Sequence, residues 1–454
     1  MNKLTFSLAE CVLPLNGKLI GDSIDFYRVG IDTREFKAGD LFVAISGERF
    51  DGHDFLVQAQ EKGAAAALVE KPVALAIPQL VVANTRIALG QLAALRRKQL
   101  QQLNVPVVAM TGSCGKTTCR AMTENILQQL GSTHASIKSF NNEIGMPLTL
   151  LTMEETDRYV VLELGANHPG EISYLTGIAK PDVCGITLAA PVHLDGFKTI
   201  AGVIEGKGEL FQGLTDQGIG LINQDEQGYG KWVELCKPHK FYTFSETRVA
   251  DFYATDIKEN EQGVSFILHT PVGECEIHLS LLGRYNVVNA LLAVGLSVVA
   301  GANLEAIKQG LETVSPVNKR MNRRVGVNNS EIFDDTYNAN PKAVEAALSV
   351  LAHSPGKKIL VLGDMGELGE HASDYHAQVG VKAREYGIAQ LISLGTLAKN
   401  ASESFGPGGQ HFTERQALID WLKPKLEANC HVLIKGSRAM AMEHIVEALS
   451  QENN

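Results

Sequence analysis

A chain of 454 residues, 45% hydrophobic and 20% charged, has room for about three domains that each bury a core. Its formal charge of −10 argues against nucleic acid as a partner for the surface as a whole, and its 7 scattered cysteines, with no Cys-x-x-Cys pair, describe neither a disulfide framework nor a zinc site. Glu10 interrupts the apolar start, and the longest uncharged apolar stretch, around Ala290 to Ala302, is too short to cross a bilayer, so a cytoplasmic chain that is not membrane-embedded is expected.

Residues 1 to about 100 alternate short apolar strands, such as Asp40 to Ile45, with polar turns. Asp32-Thr33-Arg34 and the segment Gly47 to His53 set hydroxyl, guanidinium and imidazole donors beside turns, which suits an anionic ligand or simply a solvated loop. Ile87 to Leu100 follows as a helix whose basic end, Arg96-Arg97-Lys98, fits a helix C-terminus.

The stretch Val105 to Leu130 is strand, loop and helix. Val105 to Met110 is apolar, Thr111-Gly112-Ser113-Cys114-Gly115-Lys116-Thr117-Thr118 breaks it, and Ala121, Ile126, Leu127 and Leu130 return at helical spacing. Gly112 and Gly115 let successive N–H groups face inward, Lys116 can reach the β- and γ-phosphates, and the Thr117 hydroxyl can take a place on Mg²⁺. The usual phosphate loop has a glycine where this chain has Met110, so the loop is a shortened variant. Cys114 is either a thiol activated at the helix N-terminus or a small residue tolerated there.

Tyr159 to Leu164, Val183 to Leu188 and Gly220 to Asn223 read as buried strands separated by helices, the alternation of a doubly wound parallel sheet with ligands at the strands' C-terminal ends. Glu163 stands at such an end, suited to a metal, to orienting water, or to a structural bond. His193 follows the next strand as a polar loop residue, and Lys207 reads as an exposed lysine on a glycine-weakened helix. Residues 236 to 283 suggest an antiparallel flap. Asn286 and Asn289, one helical turn apart, can offer an amide to an adenine edge, with helix capping by Asn286 as the alternative. The basic run Asn318 to Arg324 marks a linker into a last strand-and-helix domain with polar turns at Asp334 to Pro341, Gly363 to Gly369 and Lys435 to Arg438, which suggest a face that closes over a ligand.

The ordered set TGSCGKTT, SFNNEIGMP, ELGANHPGEI, HLDGF, EGKGELF, GRYNVVNA, DDTYNANP, GDMGELGEH and KGSR, running from about Asp32 to Arg438, resembles the Mur ligase family. It is most like the branch that adds D-alanyl-D-alanine to UDP-N-acetylmuramoyl-tripeptide in peptidoglycan synthesis. The resemblance implies an α/β chain of three domains: residues 1–100 for the UDP-muramoyl peptide, 101–317 as an ATP-binding doubly wound sheet with its flap, and a Rossmann-like 318–454. It implies ATP and two Mg²⁺, with Gly112 to Thr118 around the phosphates. Thr117, Glu163, His193 and a carbamylated Lys207 are its metal ligands, and Lys116 joins the last three as catalytic. Asn289, Arg320 and Asp335 are its nucleotide contacts, and Thr33, Arg34, Asn141 and Asn142 its substrate contacts. A monomer is expected. Leu188, Lys319 and Gly206 depart from the family's usual Asn, Gly and Ala. The alternatives are another Mur-type or folylpolyglutamate-type ligase and, in a different class, an ATPase or nucleotide switch. A guanine-reading Asn-Lys-x-Asp is missing, because Asn318-Lys319-Arg320 is followed by Met321.

Overall fold

The computed structural model describes residues 4–47, 50–137 and 140–451, which leaves Glu48, Arg49 and Ser139 of the motifs above outside the described residues. The central sheet has nine strands. From one edge they run Thr133–Ala135, Tyr159–Glu163, Val107–Thr111, Val183–Ile186, Ile219–Asn223, Lys240–Ser245, Phe252–Asn260, Gly263–Thr270 and Gly273–Leu279. The first seven are parallel and the last two pairings antiparallel. The expected flap is therefore a continuation of the parallel sheet, and it begins after Lys240–Ser245 rather than at 236.

Val107–Thr111 is buried along its whole length because helices cover both faces. Successive side chains point to opposite sides: Val108 and Met110 join one core with Met122, Ile126 and Leu291, while Val107 and Ala109 join another with Leu175, Leu210 and Phe211. Chain order reverses around this strand, since Tyr159–Glu163 pairs on one side and Val183–Ile186 on the other. The turn after Thr111 thus sits at the topological switch point, where such sheets bind ligands.

The N-terminal sheet runs Lys18–Ile20, Gln79–Val81, Ala66–Val69, Leu41–Val43 and Val29–Gly30, parallel except for its first pair. Its apolar face shares one continuous core with the central sheet through helix Thr85–Gln102. Arg96 and Arg97 are buried in that junction and do not serve as a solvated helix end. Arg97 grips Asp182 at 2.9 Å and the carbonyls of Ala179 and Lys180, while Arg96 stacks on Phe6 and donates to the Tyr27 carbonyl.

The last sheet runs Asn322–Val325, Glu331–Asp335, Cys430–Lys435, Lys357–Gly363, Gln390–Leu394 and Gly409–Phe412. The basic run is not a free linker. Its second half is an edge strand antiparallel to Glu331–Asp335, with Arg323 paired to Glu331 and Arg324 to Asp334. No helix of the described residues is long and apolar enough to cross a membrane.

Candidate active site

Gly112 and Gly115 adopt φ +147° and +81°, and a Cβ on either would run into Thr187 Oγ1 or Asn289 Oδ1. The loop is anchored from behind: Ser113 N–H donates to the Leu188 carbonyl at 2.9 Å and Thr187 Oγ1 to the Cys114 carbonyl at 2.5 Å. Leu188 therefore serves the loop through its backbone, which any side chain allows. Helix Lys116–Gln128 begins directly after Gly115 and aims its free N–H groups at the loop. Lys116 Nζ lies on the Gly112 carbonyl at 2.7 Å, and burial lowers its pKa, opposed by Glu163.

Parallel register sets Glu163 opposite Met110, at the mouth of the loop. Glu163 is 2% exposed. Its Oε1 accepts from Asn141 Nδ2 at 2.8 Å, while Oε2 is buried without a partner among the described residues. A buried carboxylate oxygen left free in this way is costly unless something cationic meets it. Asn142 uses Oδ1 to accept from Gly145 N–H at 2.9 Å, at the start of helix Gly145–Leu151.

His193, at φ +51°, has its Nδ1 on Glu367 of the last domain, and burial lowers its pKa against the opposing pull of that carboxylate. Lys207, expected to be exposed, is 1% exposed. Its Nζ donates to the Ala166 carbonyl at 2.9 Å and lies 5.2 Å from the centre of the Phe197 ring. Burial, then repulsion from Lys116, pulls its pKa down to about 7. The same Phe197 ring packs on the bare face of Gly206, where an alanine methyl would collide with it. That contact explains glycine here, although Ala is better for a helix by about 1 kcal/mol.

From the last domain, buried Lys435 binds Asp335 at 2.6 Å and the Asn338 carbonyl at 2.8 Å, which ties two of the polar turns together. Asp364 ties in the third: its carbonyl accepts from Ser437 N–H at 2.9 Å. Arg320 stacks over Tyr337 at 4.1 Å. Lys319 takes φ +61°, a conformation for which glycine is better suited, and its Nζ pairs with Glu443 at 2.9 Å.

These elements enclose two adjoining cavities with the loop between them. One, of 590 Å³, is lined by Thr118, Leu188, Tyr285, Asn289 and Asp335, and the other, of 1010 Å³, by Lys116, Glu163, His193, Glu367 and Arg438. Cys114, Gly115, Thr117 and Arg320 border both. Asn286 lies within helix Tyr285–Val299 and is not its cap; its Oδ1 accepts from Asn289 Nδ2 at 3.0 Å. Cys114 Sγ meets the Asn340 amide at 3.2 Å. Asn141 and Asn142 line the larger cavity, whereas Thr33 and Arg34 line neither: Thr33 bonds Gln58, and Arg34 pairs with Asp32. Sequence reasoning missed Glu367, Lys435 and Arg438 as site residues. The signal was their motif turns at the ends of adjacent strands.

Among the described residues no three His, Cys, Asp or Glu side chains converge as a ready-made metal cage. A single free carboxylate oxygen beside a phosphate loop fits Mg²⁺, which keeps few protein ligands and takes the rest from phosphates and water.

Three family models cover the chain: the Mur ligase family catalytic domain at residues 25–115, the Mur ligase middle domain at 110–297, and the Mur ligase glutamate ligase domain at 319–438. The UDP-N-acetylmuramoyl-tripeptide–D-alanyl-D-alanine ligase of Escherichia coli K12 is 42% identical over 99% of both chains. A crystal structure of MurF from Acinetobacter baumannii superposes with a TM-score of 0.91 at 34% identity, covering 98% of each chain. The MurF ligase of Thermotoga maritima in complex with ADP gives 0.80 at 27% identity, over 93% of this chain and 96% of that one.

Proposed function

The chain belongs to the Mur ligase family, and from that premise we propose that it joins D-alanyl-D-alanine to UDP-N-acetylmuramoyl-tripeptide, converting ATP to ADP and phosphate, to make a peptidoglycan precursor. The observation that carries this reading is the phosphate loop set between two adjoining cavities, one suited to a nucleoside and one walled by charged groups from two domains. We assign residues 1–100, 101–317 and 318–454 to the sugar-nucleotide, ATP and dipeptide parts of the task. A monomer in the cytoplasm, where both nucleotides occur, suffices.

A carboxylate is a poor electrophile and does not condense with an amine in water. In the proposed reaction the tripeptide's terminal carboxylate oxygen attacks the γ-phosphorus, the bond to the β-phosphate oxygen breaks, and an acyl phosphate and ADP result. The dipeptide's deprotonated amine then attacks the acyl carbon, and phosphate leaves as the tetrahedral intermediate collapses to the amide. Lys116, swung from the Gly112 carbonyl to the phosphates, offsets the charge on the transferring group, with Gly112 to Thr118 supplying N–H donors. Asn289, Arg320 and Asp335 hold the nucleotide, and Asn141 and Asn142 the tripeptide side of the larger cavity. Thr33 and Arg34, which line neither cavity, would hold the distal part of the sugar nucleotide. Mg²⁺ held by Thr117, Glu163, His193 and carbamylated Lys207 would supply further charge neutralisation. A buried amine titrating near 7 supports the carbamate: the neutral form attacks carbon dioxide through its lone pair and then releases a proton. Closure of the last domain excludes water that would hydrolyse the acyl phosphate.

The test is ADP release. With ATP, Mg²⁺ and UDP-N-acetylmuramoyl-tripeptide, sustained ADP release should require D-alanyl-D-alanine and match pentapeptide formed. Release that ignores both substrates would indicate a plain ATPase, and a response to another amine alone would reassign the ligase.

A further inference from the structure

Glu367 belongs to the last domain, yet it reaches across the cleft to the turn that carries His193. Two contacts make the bridge: its carboxylate meets His193 Nδ1, and its backbone carbonyl accepts from Leu194 N–H at 2.8 Å. Both residues stand in the left-handed region, His193 at φ +51° and Glu367 at +60°, a conformation that side-chain-bearing residues adopt only when their surroundings hold them there. The Glu367 turn is held from its own side as well. His376 Nε2 accepts from Met365 N–H at 2.8 Å, and Asp364 accepts from Thr396 and Ala398 N–H at 3.0 and 2.6 Å.

We propose that Glu367 is a positioning residue that sets the ring of His193 for cation binding only when the last domain is docked. A neutral imidazole has one N–H and one lone pair. When Nδ1–H is given to a carboxylate, the lone pair is left on Nε2, the nitrogen that has no partner among the described residues. Histidines that bind metals usually donate their other N–H to a carboxylate or carbonyl, which fixes tautomer and orientation and raises basicity. Here that carboxylate comes from a different domain than the other expected ligands, Thr117, Glu163 and Lys207. The cation site is complete only in the docked arrangement, and by linkage an occupied site favours docking by the same factor. This rests on the assignment of His193 as a cation ligand.

The test uses the full chain with Mn²⁺ as probe and ADP present, its binding followed by electron paramagnetic resonance without turnover. Glu367→Ala should weaken Mn²⁺ binding by about 10–100-fold, while ADP affinity without metal stays within about twofold. Glu367→Gln, whose amide oxygen still accepts from Nδ1–H, should recover part of the loss. Small-angle scattering should show Mn²⁺ with ADP compacting the parent chain and failing to compact Glu367→Ala. Glu367 is half-exposed, so both variants should fold, and their unfolding midpoints verify this. Unchanged Mn²⁺ affinity in Glu367→Ala, with His193→Ala weakened, would overturn the positioning role and leave His193 as a ligand. Unchanged affinity in His193→Ala would remove the ligand assignment itself, and the proposal with it.

Discussion

Lys207 lies between two glycines on a helix that reads as surface from its sequence, yet the fold buries it against Phe197 and the Ala166 carbonyl. A buried ammonium is unfavourable there, and the lowered pKa is its signature: burial and Lys116 outweigh the pull of Glu171 and Glu209. A carbamate would exchange that unfavourable cation for an oxygen-bearing anion beside Ala166, a residue that lines the same cavity as Glu163. Lys207→Ala should lose turnover by roughly 100-fold or more, the scale for one preorganised charge-stabilising group, and added short-chain carboxylates should restore part of it. Undiminished turnover in the unsupplemented variant would exclude Lys207 from the mechanism. Nothing local distinguishes this lysine from a solvated one. Its burial comes from Phe197, ten residues earlier, folding back onto Gly206, a tertiary contact that residue spacing does not encode. Glu163 was more legible, because a carboxylate ending a buried strand is conspicuous in any parallel sheet.

Helix Glu443–Leu449 is short, but its first residue joins two functional segments: Glu443 Oε1 receives Lys319 Nζ at 2.9 Å from the domain junction and Arg438 Nη1 at 2.6 Å from the wall of the larger cavity. Burial tends to raise the pKa of Glu443, but the Lys319 and Arg438 bonds outweigh it and hold the carboxyl down at about 2, against the usual 4.5. A depressed carboxylate stabilises the fold above its unfolded pKa and loses that contribution as pH falls through its folded one. Glu443→Gln should therefore be less stable than the parent by about 1 kcal/mol near pH 7, and the gap should close between pH 4.5 and 2 in denaturant titrations. A gap that persists at pH 2 would mean packing, not charge, is what the helix contributes. The basic run before it shows where elements escape sequence reading. Arg323 and Arg324 look like a linker because charge suits solvent, and as a strand they find Glu331 and Asp334 diagonally across on the neighbouring strand. The strands read as Val105 to Met110, Tyr159 to Leu164, Val183 to Leu188 and Gly220 to Asn223 were recognisable within about two residues, since burial on both faces demands an unbroken apolar run.

Across the whole molecule the cores divide unevenly. The N-terminal sheet and one face of the central sheet share a single apolar cluster that includes Leu41, Leu92, Leu162 and Phe211. The last domain has two clusters of its own, with Leu360 and Leu362 in one and Ile359 and Val361 in the other. In hydrogen exchange under rising denaturant, peptides from the N-terminal and central sheets should lose protection together, and those from the last domain at a different concentration. Three separate transitions would show that the shared core does not couple the first two. From sequence, three domains were legible as three runs of strands and helices, but this fusion was not. It depends on Arg96, Arg97 and the apolar face of Thr85–Gln102, which read equally well as an ordinary surface helix.

That fusion has a consequence for how such a catalyst could diversify. On the proposed assignment the acid-bearing partner and the energy donor share one platform, and choice of the incoming amine falls to a lobe with cores of its own. A lineage could thus acquire a new peptide bond by remodelling that single lobe, provided Arg320, Asp335 and the Glu367 contact to the His193 turn are kept.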